Sequence, residues 1–214
     1  MGHSWGSFLG ILSAYQHPEL YHAYFGVGQF CNQYEGEKVA LDWVNEQANE
    51  RNDTEAIKTL SELSVPARMA TGQDWLDYLR VERNYVTKYG GGIMHKTKGM
   101  WPSFKMFLFA GEYTFGEKFN TMRGMELSMK SMWSEAVQLN LANEIDSMQL
   151  PVYIFQGIYD RQTPYSVAKD FYEQLKAPEK AFFTFEQSAH SPIVEEVDRF
   201  NALVRERITV NNQQ

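Results

Sequence analysis

Cysteine is nearly absent: Cys31 is the only one in 214 residues. An intrachain disulfide is therefore excluded, as is a cysteine-rich metal site, and a reducing, cytoplasmic compartment is the expected setting. Basic residues are in deficit, with 20 Lys and Arg against 27 Asp and Glu and a net charge of −7. That balance argues against nucleic acid or an anionic membrane as the main partner. No apolar run approaches the ~18 residues of a membrane span. No basic stretch followed by an apolar one opens the chain, so no secretory leader is read there. The five histidines include no closely spaced pair with a matching acid, so no metal is expected and no cofactor is implied. Internal repeats and low-complexity tracts are also missing.

What is present fits an ordinary globular chain. Hydrophobic residues make up 43% and charged residues 22%, enough for one domain with a real core. Aromatics, at 14%, are plentiful and point to a lined pocket or an aromatic-rich interface. Residues 7–15 read as a short buried helix that ends before Pro18. Leu20 to Val27 reads as a strand. Amphipathic helices follow at 37–50, at 54–63 with Thr54 as a candidate N-cap, and at 74–89, closed by Gly90-Gly91-Gly92. That glycine run lacks the preceding strand and the Lys-Ser/Thr needed to cradle a phosphate. Aromatics from Trp101 to Phe115, and Met122, Met125, Met129 and Met132 at helical spacing, read first as core, with a pocket roof or a substrate surface as the alternative. From Leu150 the pattern becomes strand (151–155), helix (164–175), strand (181–185), helix (194–208), with a frayed tail at 211–214. This alternation predicts an α/β fold with a parallel sheet.

Three short motifs carry chemistry. Gly2-His3-Ser4-Trp5-Gly6 fits Gly-x-Ser-x-Gly, the sharp strand-to-helix turn that lifts a serine hydroxyl clear of a sheet. Asp160 and His190 each follow an apolar strand run, where reactive groups of open α/β sheets collect. The order Ser, Asp, His suits a triad: Ser4 as nucleophile, His190 as base, Asp160 orienting the ring. Each residue also has a plain reading, as a glycine-rich turn, a turn aspartate and a loop histidine. His3 reads as structural rather than as a second base, and His17, His22 and His95 as structural or exposed.

These motifs, together with His17-Pro18-Glu19, Gly157-x-Tyr159-Asp160, Thr163-Pro164 and Ala189-His190-Ser191, resemble the α/β-hydrolases, most closely the proline iminopeptidase group. The resemblance implies a partial α/β-hydrolase fold. Its parts would be a core segment with the serine elbow (1–31), a helical cap (32–145) and a C-terminal core segment carrying Asp160 and His190 (146–214). It implies about five strands before the elbow, so the chain is expected to begin at that turn, with Leu20–Val27 as an apolar open edge suited to a homodimer. It also implies that the Trp5 N–H is an oxyanion donor, and that a cap acid reads a substrate amine, for which Glu112 is the candidate against a plainly solvated glutamate. The expected activity is hydrolysis of a small peptide, amide or ester, including release of an N-terminal proline. The alternative is a catalytically silent fragment that dimerises or needs a partner chain.

Overall fold

The computed structural model describes residues 1–97 and 101–211. Four strands form one parallel sheet in the order β1 (Gly2–His3), β2 (Tyr24–Val27), β3 (Val152–Gly157), β4 (Lys180–Phe185). The two central strands are buried along their whole length, because both faces of the sheet are covered. The period of two sorts their side chains. Tyr24, Val152 and Ile154 face Phe8, Ile11 and Ala14 of α1 (Trp5–Gln16), Phe171 of α8 (Tyr165–Gln174) and Leu175 just beyond its end. Phe25, Val27, Tyr153 and Phe155 face the other way, onto Phe200 of α10 (Val197–Asn211). The result is a three-layer helix–sheet–helix core.

All the remaining long helices lie between β2 and β3: α2 (Gln33–Glu50), α3 (Thr54–Ser61), α4 (Gly72–Tyr89), α5 (Trp101–Phe109) and α6 (Phe115–Ala136), followed by the single turn α7 (Leu141–Glu144). Their starts are set by local chemistry. Asn32 and Asp53 accept the free amides of Glu35 and Ala56, and Thr71–Asp74 and Thr114–Glu117 form reciprocal capping boxes. Ala40, Val44, Ala48, Ala56, Leu60 and Val86 then close α2, α3 and α4 on one another, while Trp75 and Leu79 pack α4 against Met129 and Trp133 of α6.

The structure corrects several expectations. Leu20 does not begin a strand. Pro18–Leu20 is a 3-10 turn with Leu20 70% exposed, and the strand starts at Tyr24. That strand is not an open edge, since β1 pairs with it on one side and β3 on the other. The cap of α3 is Asp53, whose carboxylate reaches Ala56 N–H, and Thr54 is already helical. The last helical stretch is two helices, α9 (Pro192–Glu195) and α10, broken at Glu196. The methionine stripe and the aromatics before it are core only in part: Met129 packs against Trp75 and Leu79, whereas Met122, Met125 and Met132 are exposed, as are Phe109, Tyr113 and Phe115. The side chain of Trp101 and the tail at 212–214 lie outside the described residues. Among the described residues, no helix is long and apolar enough to cross a membrane.

Candidate active site

Ser4 occupies the single residue between β1 and α1, with φ 55° and ψ −122°. Positive φ is unfavourable for a side-chain-bearing residue, and a strained conformation of this kind costs on the order of 1–3 kcal/mol unless its surroundings impose it. Here they do. The Ser4 N–H donates to the Val27 carbonyl at 2.9 Å, and the Ser4 carbonyl accepts from Ser7 N–H at 2.8 Å and Ser7 Oγ at 2.6 Å. Strand and helix pass so closely that a Cβ on Gly2 would sit 2.1 Å from the Gly6 carbonyl oxygen. Trp5 is the first residue of α1, so its N–H has no acceptor one turn back and stands at the helix's positive end.

Asp160, in the loop after β3, is fully buried and saturated with donors. Oδ1 accepts from the amides of Gln162 (2.9 Å) and Thr163 (3.0 Å). Oδ2 accepts from Gln156 Nε2 (2.8 Å), Thr163 Oγ1 (2.9 Å) and His190 Nδ1 (2.9 Å). The pairing fixes the imidazole with Nδ1 as donor, which leaves Nε2 as the basic nitrogen. That Nε2 is buried and has no hydrogen-bond partner among the described residues. No hydrogen bond joins it to Ser4, although the two residues belong to the same end of the sheet. Gly28 permits this arrangement. Its φ is +54°, and a Cβ there would lie 2.9 Å from His190 Cε1 and Nδ1. His3 donates from Nε2 to the His190 carbonyl at 2.8 Å, with its ring 4.9 Å from the His190 ring. Loss of solvent, reinforced by the neighbouring His190, lowers the His3 pKa below its usual value. His3 thus ties β1 to the loop bearing His190.

The Gly90–Gly92 run, which sequence reasoning could only set aside, has a definite role. The Gly91 and Gly92 carbonyls accept the amides of Arg161 (3.0 Å) and His190 (3.2 Å), so the end of α4 holds both loops of the site. His95 stacks on Tyr159 at 3.6 Å, and Glu195 accepts from the amides of His95 (2.7 Å) and Ala189 (2.8 Å). Cys31 is buried, and burial pushes its thiol up to about 12, which removes it as a competing nucleophile. Among the described residues, no group of three or more His, Cys, Asp or Glu side chains is placed to hold a metal ion.

A cavity of about 680 Å³ opens on Ser4 and Trp5. Gln162 and Thr163 from the Asp160 loop line it, with α4 and α6 forming the opposite wall. Glu112 is exposed, in the turn before α6, and is not among the lining residues. A different pair of acids lies beside the cavity. Glu37 and Glu82 are fully buried and share one guanidinium, that of Arg83, which lines the cavity together with Gln33. Arg83 Nη2 and Nη1 reach Glu37 at 2.5 and 3.1 Å, Gln33 Nε2 reaches Glu37 at 2.6 Å, and Arg83 also pairs with Glu82. Among the described residues, Glu82 Oε1 has no hydrogen-bond partner. Burial, with Glu37 adding to it and Arg83 opposing, pushes the Glu82 carboxyl up to about 8. Sequence reasoning missed this pair. The available signal was a charged residue on an apolar stripe: Glu37 in line with Ala40, Val44 and Ala48, and Glu82 in line with Trp75, Leu79 and Val86.

A single-residue elbow with a strained serine, followed by an aspartate and a histidine beyond the ends of the parallel strands β3 and β4, decides the architecture. The chain has the α/β-hydrolase fold. Solved α/β-hydrolase-fold proteins superpose on it accordingly. The proline iminopeptidase of Mycobacterium smegmatis does so with TM-score 0.57 at 15% identity, over 99% of this chain and 64% of that one. VinJ gives 0.53 at 14% identity, over 98% and 64%. A curated relative, the probable aminopeptidase YbaC of Bacillus subtilis, is 30% identical over 207 residues, 95% of this chain and 63% of its own length. The chain therefore spans just under two thirds of these relatives. No protein-family model matches it.

Proposed function

We propose that the protein is a serine hydrolase acting on small amides, peptides or esters. Ser4 attacks the carbonyl, and His190 Nε2 takes the Ser4 proton and later returns it to the leaving group. Asp160 holds the ring and offsets the imidazolium charge, while the Trp5 N–H faces the developing oxyanion. The observation that carries this reading is the strained backbone of Ser4 beside a buried Asp160–His190 pair whose outer nitrogen is unoccupied. Strain held by surrounding structure is characteristic of functional positions. The open Ser4–His190 contact does not weigh against the role, because hydrogen bonds to a catalytic base often tighten only in the complex with substrate.

The finer reading is an aminopeptidase, taken from the names of YbaC and the mycobacterial enzyme. A free N-terminal amine needs a negative partner. Glu37 and Glu82 are the buried acids beside the cavity, held by Arg83, and a bound ammonium would draw Glu82 into its ionised form.

The test is intact-mass measurement after reaction with a fluorophosphonate probe. One adduct is expected on the wild-type chain and none on Ser4→Ala. A folded wild-type chain that takes no adduct would overturn the assignment and favour the catalytically silent reading.

A further inference from the structure

We infer that the substrate presents to α6 a long apolar chain, much larger than a prolyl ring; this rests on Ser4 being the nucleophile. The argument begins with one face of one helix. Phe115, Phe119, Met122, Met125, Met129 and Met132 recur at intervals of three and four, so they form a single stripe along α6. The C-terminal half of the stripe, Met125, Met129 and Met132, lines the cavity on Ser4. The N-terminal half is open to solvent, with Phe115 at 81% exposure. Met125 belongs to both halves, lining the cavity while 70% exposed. An apolar track therefore runs from the cavity on Ser4 to the surface, with the Arg123 guanidinium 5.7 Å from the Phe119 ring beside its outer end.

Three further observations narrow the occupant. The cavity, about 680 Å³, falls in the range that encloses a drug-sized ligand, and a five-membered ring would leave most of it empty. Its two charged wall residues are already paired, Arg83 with Glu37 and Glu82, and Arg80 with Asp77 and Glu126. The wall thus offers no free charge to an anionic tail. Methionine side chains are unbranched and polarizable and adapt to a flexible chain. An exposed apolar surface continuous with a reactive cavity is what a substrate with an alkyl or alkyl-aryl tail would cover.

The experiment measures kcat/KM for p-nitrophenyl esters from acetyl to decanoyl, each below its aggregation concentration. The expected result is a rise of at least tenfold from acetyl to octanoyl. Met125→Lys and Phe119→Lys should each cut the octanoyl-to-acetyl ratio at least threefold, and Met125→Gln should cut it less. A ratio that is flat, or that falls beyond butanoyl, overturns the inference while leaving the hydrolase reading intact. If no ester is turned over and Ser4 takes no fluorophosphonate, the hydrolase reading fails instead. A binding arm then still decides the chain question: ω-bromoalkanols should quench tryptophan fluorescence at lower concentration as the chain lengthens, and Trp133→Phe should weaken that quenching. Quenching independent of chain length overturns the inference.

Discussion

Gly28 and Ser4 carry the two positive-φ backbones of the site, and they make opposite demands on side chains. Ser4 carries a side chain at φ 55° and is held there by its hydrogen bonds to Val27 and Ser7. Gly28 avoids the penalty by having no Cβ, and uses the space to hold the His190 ring. Gly28→Ala is expected to cost about 1–2 kcal/mol for the left-handed backbone alone. Because the added methyl meets the imidazole, turnover of any ester the wild-type protein hydrolyses should fall further than the loss of stability explains. A urea melt and a kcat measurement on the same sample separate the two. Glu82 makes a pH-dependent prediction. Its carboxyl is raised from about 4.5 to about 8 in the folded chain, so between those values the native state holds a proton that the unfolded state has lost. Stability therefore falls as pH rises from about 4.5 to about 8. Glu82→Gln, which keeps the shape without the titration, should flatten that slope. Urea midpoints that decline with pH identically in both proteins would rule this out. Ser4 stood out in the sequence through the Gly-x-Ser-x-Gly pattern, and Asp160 and His190 because each sits where a short apolar run stops. Glu37 and Glu82 were not, because their meaning lies in a contact between two helices far apart in the chain.

At the scale of elements, the helices were the easiest to read and their environments the hardest. The apolar spacing of α2 and α4 located both to within a few residues, and the capping box of α4 supplies its start. Thr71→Ala removes the acceptor for Asp74 N–H and should destabilise the chain by about 1 kcal/mol, measured as a shifted urea midpoint without a changed slope. The stripe on α6 shows where spacing stops being informative. Its period correctly marks one helical face, but a period says nothing about what lies opposite. In α4 the opposite element is another helix, and the residues are core. In α6 most of the stripe faces a cavity or open solvent, and the same pattern of large apolar residues means something else. The strand boundary at Tyr24 was misread for a related reason: the aromatic-rich run 20–27 has strand propensity throughout, and the 3-10 turn at Pro18 uses part of it.

For the whole molecule, the α/β alternation after residue 150 was enough to anticipate a parallel sheet covered on both faces. The joints between the inserted helices and that sheet were not visible, since they are made by backbone groups. Gly91, Gly92, His95 and Glu195 fasten the end of α4 to the loops carrying Asp160 and His190. Glu195→Ala should release three amides, those of His95, Lys96 and Ala189. Hydrogen exchange is expected to quicken at 92–97 and 187–190 while the strands of the sheet stay protected. Uniform quickening would mean that Glu195 serves global stability instead.

The parallel pairing of β2 with β3 has a consequence for how the chain reaches this structure. Tyr24–Val27 and Val152–Phe155 are adjacent in register, yet the entire helical stretch from Gly28 to Pro151 separates them. Closing so long a loop early is entropically unfavourable, and contacts of high sequence separation slow folding. The pairing of these two strands is therefore expected to be a slow step in folding, and the packing of α4 on α2 and α6 inside the intervening stretch shortens the loop that has to close.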